Sequence, residues 1–408
     1  MHVIFVEPGF PANQRRFPVA LRRAGALVSA VGEAPWEALG DEVRSSLAVY
    51  EQVRSVCDEE AMLAAVRSIQ RRGWVDRLES TVEAHTLPVA RVRAACGIPG
   101  TTERTAFLCR DKPAMKDVLR AAGVPTARSL GTDALDEARR FAAEVGYPLI
   151  VKPRSAAGAS GTYKVRDDAE FARALEESYV GRGGSVAVEE FIEGHEAFYD
   201  TISVGGRVVH EFVSHYYPGV LEAMRERWIS PYIVTTNRID AAGYGEVKEM
   251  GARVIEALGI GTSATHMEWF YGPKGLKFSE IGCRPPGVCM WDVYGAANEM
   301  DLYLEWAHAI VGNGPAARPS RRFAGGMINL RPDRDGRIAG YENREQVVER
   351  LGDCLIDAHF PPPGTPTQPV SAGYMANAWM RVRHPDYDEL RSILDWVGRT
   401  LRVRAAPG

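Results

Sequence analysis

The sequence predicts a multidomain protein that combines α/β and α+β architecture, and three observations lead to this fold class. The chain has 408 residues, and because a single domain usually holds roughly 100 to 200 residues, about two to four domains are expected. Its first part alternates apolar strand patterns with an amphipathic helix pattern. Its middle part contains strand patterns joined by glycine turns, which are typical of antiparallel sheet.

Composition excludes several classes of protein. Hydrophobic residues make up 45% of the chain and charged residues 25%, as in ordinary soluble proteins. Every apolar segment is shorter than the roughly 20 residues of a membrane helix, and the N-terminal segment MHVIFVEPGF lacks the features of a signal peptide. A cytoplasmic protein without membrane contact is therefore expected. The interspersed charges, with a formal net charge of −4, predict no nucleic-acid partner.

The six cysteines predict neither a zinc site nor a disulfide framework. They are scattered along the chain, and no two of them form a CxxC pair. Free thiols, most of them buried, are the expectation.

The N-terminal elements predict an open α/β unit. Apolar runs at 2–6 and 26–31 indicate strands, and a helix is expected over 17–23. Only Gly9 follows the first strand, whereas the phosphate-binding turn of a dinucleotide site needs three glycines. An NAD site is therefore not predicted.

Two helices and a strand are expected next. Asp111 is suited to cap the first helix, and a second helix covers 135–145. The strand at 148–153 contains Lys152 and leads into a loop of small residues at 155–161. Backbone N–H groups of such a loop can close on phosphate oxygens, although a surface turn explains the same composition.

Antiparallel strands are predicted for the middle of the chain. The segments 197–204 and 207–215 are joined by two glycines, and a helix over 244–258 follows. Two more alternating strands cover 264–271 and 276–281. This part of the chain is therefore expected to form an antiparallel sheet with a helix.

The last two of these strands each carry a glutamate. By the strand period of two, Glu268 shares a face with His266, and Glu280 shares a face with Phe278. A buried, unpaired carboxylate is costly, so two on neighbouring strands indicate a cation between them, and oxygen ligands favour Mg²⁺. Direct apposition requires a β-bulge or a five-residue connection; otherwise the carboxylates face water. Arg284, just past the strand, could reach an anionic oxygen at the same cation.

The combination of motifs resembles the ATP-grasp superfamily, in its carboxylate-amine ligase branch. The motifs are Arg110-Asp111-Lys112, Tyr147 to Pro153 with its small loop, Val188 to Glu196, Glu268, and Ser279-Glu280-Ile281-Gly282-Cys283-Arg284. Their order and spacing match the superfamily from about residue 96 to 315. The Glu-Ile-Gly-x-Arg version is similar to that of the L-amino-acid ligases, and Gly282 stands where many members have an asparagine metal ligand.

The resemblance implies an ATP-grasp fold in four parts. These are an N-terminal Rossmann-like α/β domain at 1–95, a small ATP-grasp subdomain with a helical entry at 96–186, a large subdomain with the metal site at 187–320, and a C-terminal α+β lid domain at 321–408.

The resemblance also implies a role for each motif residue. ATP would be held by two lysines, the small loop, the adenine hinge and a ribose-binding glutamate, namely Lys112, Lys152, Ser155, Gly158, Ser160, Gly161, Glu189, Glu190, Ile192 and Glu196. Glu268 and Glu280 would hold one or two Mg²⁺ ions, with Mn²⁺ as an alternative. Arg284 would stabilise an acyl phosphate. Arg331 would assist it, unless it is an ordinary surface arginine.

The implied reaction activates a carboxylate as an acyl phosphate and joins it to an amine, such as an amino acid, releasing ADP and phosphate. Two alternatives stay open: an ATP-dependent carboxylase of the biotin carboxylase type, and a nucleotide-binding regulator without turnover. The substrates would be small molecules, and a homodimer is compatible with this class.

Two features have two interpretations each. The segment 215–228, with a helix over 220–227, mixes aromatic and cationic residues and either lines the acceptor pocket or forms an exposed helix. His266 either supports the metal site or is a hydrogen-bonded core histidine.

Overall fold

A computed structural model of the protein describes residues 1–154, 161–372, 374 and 376–408. The predicted loop residues Ser155, Gly158 and Ser160 lie outside these ranges. Within them, no helix is both long enough and apolar enough to cross a membrane.

The N-terminal part of the chain forms a parallel sheet flanked by helices. Its elements are β1 (His2–Val6), α1 (Arg16–Arg23), β2 (Leu27–Gly32), α2 (Asp41–Ser46), β3 (Val49–Gln52), α3 (Glu59–Gln70), β4 (Arg77–Glu79) and α4 (Thr86–Ala95). The strand order is β3-β2-β1-β4, and every neighbouring pair is parallel. Residues 3–6 of β1 are fully buried, because helices cover a parallel sheet on both faces. The predicted α/β unit is confirmed.

The next part forms the small sheet. Its elements, with the helices that lead into it, are α5 (Glu103–Leu108), α6 (Lys112–Ala121), β5 (Ser129–Thr132), α7 (Leu135–Val145), β6 (Leu149–Pro153), β7 (Tyr163–Val165), α8 (Asp168–Glu177) and β8 (Val186–Glu190). The strands are antiparallel in the order β5-β8-β6-β7. Asp111 caps α6, because its side chain accepts a hydrogen bond from the N–H of Ala114. The cap fixes where Lys112 begins the helix.

The remaining chain contributes the large sheet and its helices. The first group comprises β9 (His195–Val204), β10 (Arg207–Tyr217), α9 (Val220–Ala223), β11 (Tyr232–Thr235), α10 (Gly245–Ala257), β12 (Ser263–Gly272), β13 (Gly275–Gly282), α11 (Met290–Asn298) and α12 (Leu302–Val311). Helix α9 is a single turn, so the prediction of a helix over 220–227 is wrong in its second half. Gly219 and Pro218 precede that turn, and the chain leaves the helix at Met224.

The last group completes the large sheet and adds a two-stranded ribbon. It comprises β14 (Ala324–Leu330), β15 (Arg337–Glu342), α13 (Arg344–Leu351), β16 (Leu355–His359), β17 (Ala378–His384), α14 (Tyr387–Thr400) and β18 (Arg402–Ala406). The large sheet has the order β13-β12-β9-β10-β11-β14-β17-β16, and β15 pairs with β18. The division predicted at residue 321 therefore falls between strands of one continuous sheet.

The hairpin of β12 and β13 contains a β-bulge. Trp269 pairs with Phe278, but the next pair is Glu268 with Glu280, so Ser279 is an additional residue in β13. A bulge reverses the alternation of side chains. Phe278 packs with Trp269 in an apolar cluster, so the prediction that Phe278 and Glu280 share a face is wrong. The apposition of the two glutamates by means of a bulge is confirmed.

All six cysteines are free thiols, as predicted. Only Cys109 and Cys283 are buried, so the prediction that most of them are buried is wrong. The other four are partly or fully exposed; Cys57 and Cys354, for example, lie in connections between elements near the surface.

Candidate active site

A cavity of about 710 Å³ is lined by residues of both the small sheet and the large sheet. Predicted site residues from widely separated parts of the sequence line it together: Lys112, Lys152, Glu189, Glu190, Ile192, Glu196, Glu268, Glu280 and Arg284. Of the predicted site residues in the described part of the chain, Gly161 and Arg331 are not among those that line it. The fold thus brings most of the predicted site into one cleft.

Two predicted lysines project into the cavity from the side of the small sheet. Lys112 begins α6, and its Nζ lies 3.3 Å from Oε2 of Glu280. Lys152 is in β6, and its Nζ lies 2.9 Å from Oε2 of Glu189 and 3.9 Å from Oε2 of Glu280. Burial acts to lower the pKa of Lys152, but Glu189 and Glu280 outweigh it and raise the pKa above its ordinary value. Lys152 is therefore a stable cation.

A third lysine in the cavity was missed by the sequence analysis. Lys116 lies one helical turn after Lys112 in α6, is 1% exposed, and places Nζ 2.7 Å from Oε2 of Glu189. Burial lowers the pKa of Lys116 to about 8, and Glu189 opposes that shift. A lysine on the same helix face as the buried Met115 and Leu119 was the available signal, because such a face does not normally carry a charge.

Glu189 faces these lysines. It was predicted as part of the adenine hinge, but its side chain is buried and contacts both Lys116 and Lys152. Burial acts to raise the pKa of Glu189, and the two ammonium groups outweigh it and lower the pKa to about 2. Its carboxylate is thus a fixed anion within a group of lysines.

The other hinge residues follow β8 at the edge of the cavity. The side chain of Glu190 contacts Lys274 and accepts a hydrogen bond from the N–H of Arg128 at 3.2 Å. Ile192 is buried against the cavity. An apolar side chain at the edge of a cavity suits a heteroaromatic ring.

Glu196 lies in β9, farther along the cavity. Its Oε2 accepts a hydrogen bond of 2.7 Å from the N–H of Val220. Burial and the neighbouring Glu268 raise the pKa of Glu196 to about 8. A carboxyl group at this position can accept hydrogen bonds from the hydroxyls of a ribose diol.

Glu268 and Glu280 fit the chemistry of a divalent cation. They are directly opposed across β12 and β13 and both line the cavity, and Cβ atoms of directly opposed residues are about 5 Å apart. Two carboxylates completed by phosphate oxygens are a usual environment for Mg²⁺. Within the described residues, no three or more His, Cys, Asp or Glu side chains form a metal site by themselves. A nucleotide would therefore have to supply further ligands.

His266 contacts a buried aspartate on one side and one of the two glutamates on the other. Its Nδ1 lies 2.7 Å from Oδ1 of Asp200, and its Nε2 lies 3.5 Å from Oε1 of Glu268. Burial acts to lower the pKa of His266, but Asp200 outweighs it and raises the pKa to about 9. His266 is thus a buried, hydrogen-bonded cation beside the glutamate pair.

Arg284 is held by a residue of the N-terminal part of the chain. Its Nε and Nη2 donate to Oε2 of Glu83 at 2.9 and 2.7 Å, and Arg110 donates to Oε1 of Glu83 at 2.7 Å. Burial acts to raise the pKa of Glu83, but Arg284 and Arg110 lower it below its ordinary value. Glu83 was missed because it belongs to no motif. Its place just after β4, at the carboxyl end of a parallel strand, was the only signal.

The segment 215–228 lines the cavity only in part. Tyr216, Tyr217, Met224 and Arg225 are among the lining residues. Trp228, by contrast, is 76% exposed. Residues 216–222 and 224–226 thus lie at the cavity, and the acceptor-pocket interpretation stays a prediction for them.

Arg331 lies at a different position. Its Nη1 donates to the carbonyl of Glu226 at 2.7 Å, and it borders a separate small cavity together with Arg227. Burial lowers its pKa below the ordinary value. The structure does not bring Arg331 beside Arg284 in the lining of the large cavity.

Residues 117–298 match the sequence profile of the ATP-grasp domain. The chain carries an ATP-grasp domain, and the resemblance seen in its motifs is confirmed.

Curated relatives of the chain are ligases and transferases. An L-arginine-specific L-amino acid ligase from Bacillus subtilis is 28% identical over 245 residues, which cover 58% of this chain and 57% of the relative. A formate-dependent phosphoribosylglycinamide formyltransferase from Chlorobium phaeobacteroides is 25% identical over 344 residues, 84% of each chain. The chain thus matches little more than half the length of the first relative.

Solved structures share the whole fold. An L-amino acid ligase from Bacillus licheniformis superposes with a TM-score of 0.76 at 18% identity, over 99% of this chain and 98% of that one. A carboxyaminoimidazole ribonucleotide synthase from Aspergillus clavatus, complexed with ATP, gives a TM-score of 0.68 at 16% identity, over 97% and 98%. At these identities the match confirms the ATP-grasp fold.

Proposed function

We propose that the protein is an ATP-dependent ligase that activates a carboxylate as an acyl phosphate and joins it to an amine, releasing ADP and phosphate. One observation carries this proposal. Lysines from the small sheet and its entry helix face a pair of carboxylates from the large sheet across one cavity, with Lys112 and Lys152 Nζ 3.3 and 3.9 Å from Oε2 of Glu280. A polyphosphate and its cation match this arrangement of opposite charges.

The residues of the chain would divide the work as follows. The hinge at Glu190 and Ile192 would hold the adenine, and Glu196 the ribose. Lys112 and Lys152 would bind phosphate oxygens and stabilise the charge that develops on them. A Mg²⁺ ion held by Glu268 and Glu280 would neutralise further phosphate charge.

The reaction would have two steps. An oxygen of the substrate carboxylate attacks the γ-phosphorus in line, and the bond to the leaving ADP oxygen breaks. The amine nitrogen then attacks the acyl carbon, the amine loses a proton, and phosphate leaves. Arg284 would stabilise the anionic oxygen at that carbon, with Glu83 fixing the orientation of its guanidinium.

An amino acid is the proposed amine. The names of the Bacillus relatives support it, as does the Glu-Ile-Gly-x-Arg sequence at 280–284. Because another relative is named for formate and the carboxylase alternative would use bicarbonate, both of these acids belong in the test.

A phosphate-release screen tests the proposal. The protein is incubated with Mg·ATP and pooled carboxylic acids, including formate and bicarbonate, with and without pooled amino acids, and products are analysed by mass spectrometry. Phosphate should appear only when acid and amine are both present, with a product whose mass is their sum less one water. Release with bicarbonate alone would identify a carboxylase. Nucleotide binding without any release would identify a regulator.

A further inference from the structure

Lys116 is a buried cation of the cavity to which the proposed mechanism gives no task. It belongs to a series of charges that alternate in sign, in the order Lys116, Glu189, Lys152, Glu280 and Lys112. The successive contacts between ammonium nitrogen and carboxylate oxygen are 2.7, 2.9, 3.9 and 3.3 Å. Three of these residues are assigned to phosphate or metal, and Glu189 and Lys116 are not explained by that assignment.

Lys116 and Lys152 share a single oxygen of Glu189. Both ammonium groups contact Oε2, whereas the buried Oε1 has no hydrogen-bond partner in the part of the chain that the structure describes. Lys152 is therefore held on Glu189 in this structure. A phosphate oxygen bound by the same ammonium would compete with Glu189 for its charge and draw it away from Oε2.

That exchange would be costly if Lys152 were the sole counter-ion of Glu189. The Glu189 side chain is 6% exposed, and a buried carboxylate that loses its cation is strongly destabilised. Lys116 removes this obstacle, because it stays on Oε2 when Lys152 leaves. Its backbone position is four residues, about 6 Å along the helix axis, after that of Lys112, and its side chain is 1% exposed, so it is suited to neutralise Glu189 rather than to follow a ligand.

We propose that Lys116 is a positioning residue for nucleotide binding: it is the permanent counter-ion of Glu189 and thereby releases Lys152 to bind the nucleotide phosphates. This inference rests on the proposed ATP-dependent function. It predicts that Lys116 affects phosphate binding only through Glu189 and has no effect on the binding of the nucleoside.

A double-mutant cycle on nucleotide affinity tests the inference. Four proteins are compared: wild type, Lys116→Met, Glu189→Gln and the double variant. The dissociation constant of Mg·ADP is measured by calorimetry, and that of adenosine by displacement of a fluorescent ADP derivative. Lys116→Met should weaken ADP binding about tenfold, the effect of one charge-assisted contact, because Lys152 then becomes the only partner of Glu189. The dissociation constant of adenosine should stay within about twofold of the wild-type value. The Lys116→Arg variant should restore the affinity for ADP.

The glutamine background provides the decisive comparison. With Glu189→Gln, Lys152 has no carboxylate to leave, so Lys116→Met should change ADP affinity by less than about twofold. The double variant replaces both charges with neutral side chains of similar size, so this comparison holds even if the single methionine variant does not fold. A tenfold loss in the glutamine background, or an equal loss for adenosine, would overturn the inference.

Failure of the proposed function is distinguishable from failure of this inference. If the wild-type protein binds neither ADP nor ATP, the proposed function is wrong. If it binds them and Lys116→Met behaves like wild type, Lys116 has no positioning role. Lys248→Met is the matched control, because Lys248 is a partly exposed lysine paired with Glu211 and Asp240 and is not among the residues that line the cavity.

Discussion

The two walls of the cavity carry opposite charges but are stabilised in the same way. The wall formed by α6 and the small sheet presents Lys112, Lys116 and Lys152, and it contains its own anion, Glu189. The wall formed by the large sheet presents carboxylates, and it contains its own cation, His266. In each wall a buried counter-charge contacts a functional charge, Glu189 contacting Lys152 and His266 contacting Glu268.

The difference between the walls lies in how rigidly they hold their charges. The carboxylates belong to central pairs of a hairpin, where both strands fix their position. The lysines are long side chains that reach the cavity from a helix start and a strand, and such stems can reorient. The lysine wall is therefore expected to adapt to a nucleotide, whereas the carboxylate wall is expected to stay in place.

The largest expected effect comes from breaking the carboxylate wall. Glu280→Gln should reduce kcat for phosphate release at least about 100-fold, because it removes one of two opposed carboxylates and the contact of Lys112. The measurement uses the acid and amine identified by the screen. Glu345→Gln, at an exposed position of α13, should behave like wild type. A Glu280→Gln enzyme with undiminished phosphate release would show that the metal assignment is wrong.

Breaking the lysine wall should affect binding more than structure. Lys152→Met should weaken Mg·ADP binding about tenfold and leave adenosine binding unchanged, as measured by the same calorimetric and displacement assays. Because the side chain keeps most of its volume, the melting temperature should change little. Equal weakening of ADP and adenosine would place Lys152 away from the phosphates.

Breaking the contact between Arg284 and Glu83 of the N-terminal part of the chain should have a smaller effect on kcat. Glu83→Gln removes the anionic partner of Arg284, so we expect kcat to fall about three- to tenfold while ADP affinity stays within about twofold. Glu42→Gln, at an exposed position of α2, is the control. If ADP affinity falls as much as kcat, Glu83 supports the nucleotide site rather than Arg284.

The smallest expected effect is on the pH dependence of stability. It comes from the difference between two buried histidines of the large sheet, His215 and His266. Unlike His266, His215 is held by neutral partners, with Nδ1 3.0 Å from Nε2 of His195 and Nε2 2.9 Å from the Tyr244 hydroxyl. Burial lowers the pKa of His215 from its ordinary 6.5 to about 3. Between these values the unfolded chain binds a proton that the native protein does not, so stability is lost as the pH falls from about 6.5.

His215→Phe should remove that part of the pH dependence. Between pH 7 and pH 5, the melting temperature of the wild type should fall by about 2 to 4 °C more than that of the variant. Differential scanning fluorimetry at both pH values measures the shift. Parallel pH profiles for the two proteins would show that His215 is protonated in the native state.

Local signals were sufficient for the elements and for the carboxylate wall. Asp111 predicted the start of α6 because a cap acts within one turn of helix, and the alternation around Glu268 predicted its strand. The order of the motifs then predicted the ATP-grasp domain, because each motif combines a strand or helix end with a charged residue. These are properties of short segments, which a sequence displays directly.

The missed or misplaced residues depend on contacts between distant segments. Glu83 becomes a partner of Arg284 only when β4 and the end of β13 meet, 201 positions apart in the chain. Lys116 shares a helix face with buried residues, but its partner Glu189 lies in another strand and is not visible in the local pattern. Arg331 was predicted beside Arg284 by analogy, but its hydrogen bond to Glu226 fixes it elsewhere, and no pattern around Asn329 to Pro332 encodes that contact.

The bulged residue Ser279 determines how this site tolerates changes in chain length. If the regular pairing continued past Trp269 and Phe278, Ser279 would pair with Glu268 and Glu280 with Met267, whose side chain packs in an apolar cluster, and the carboxylate would turn from the cleft into that cluster. Deletion of Ser279 would therefore remove the bulge and leave Glu280 opposite Glu268, whereas one further residue between Phe278 and Glu280 would place Glu280 opposite Met267 across the same bulge. Variants of this hairpin should consequently tolerate the loss of one residue at the bulge better than the gain of one.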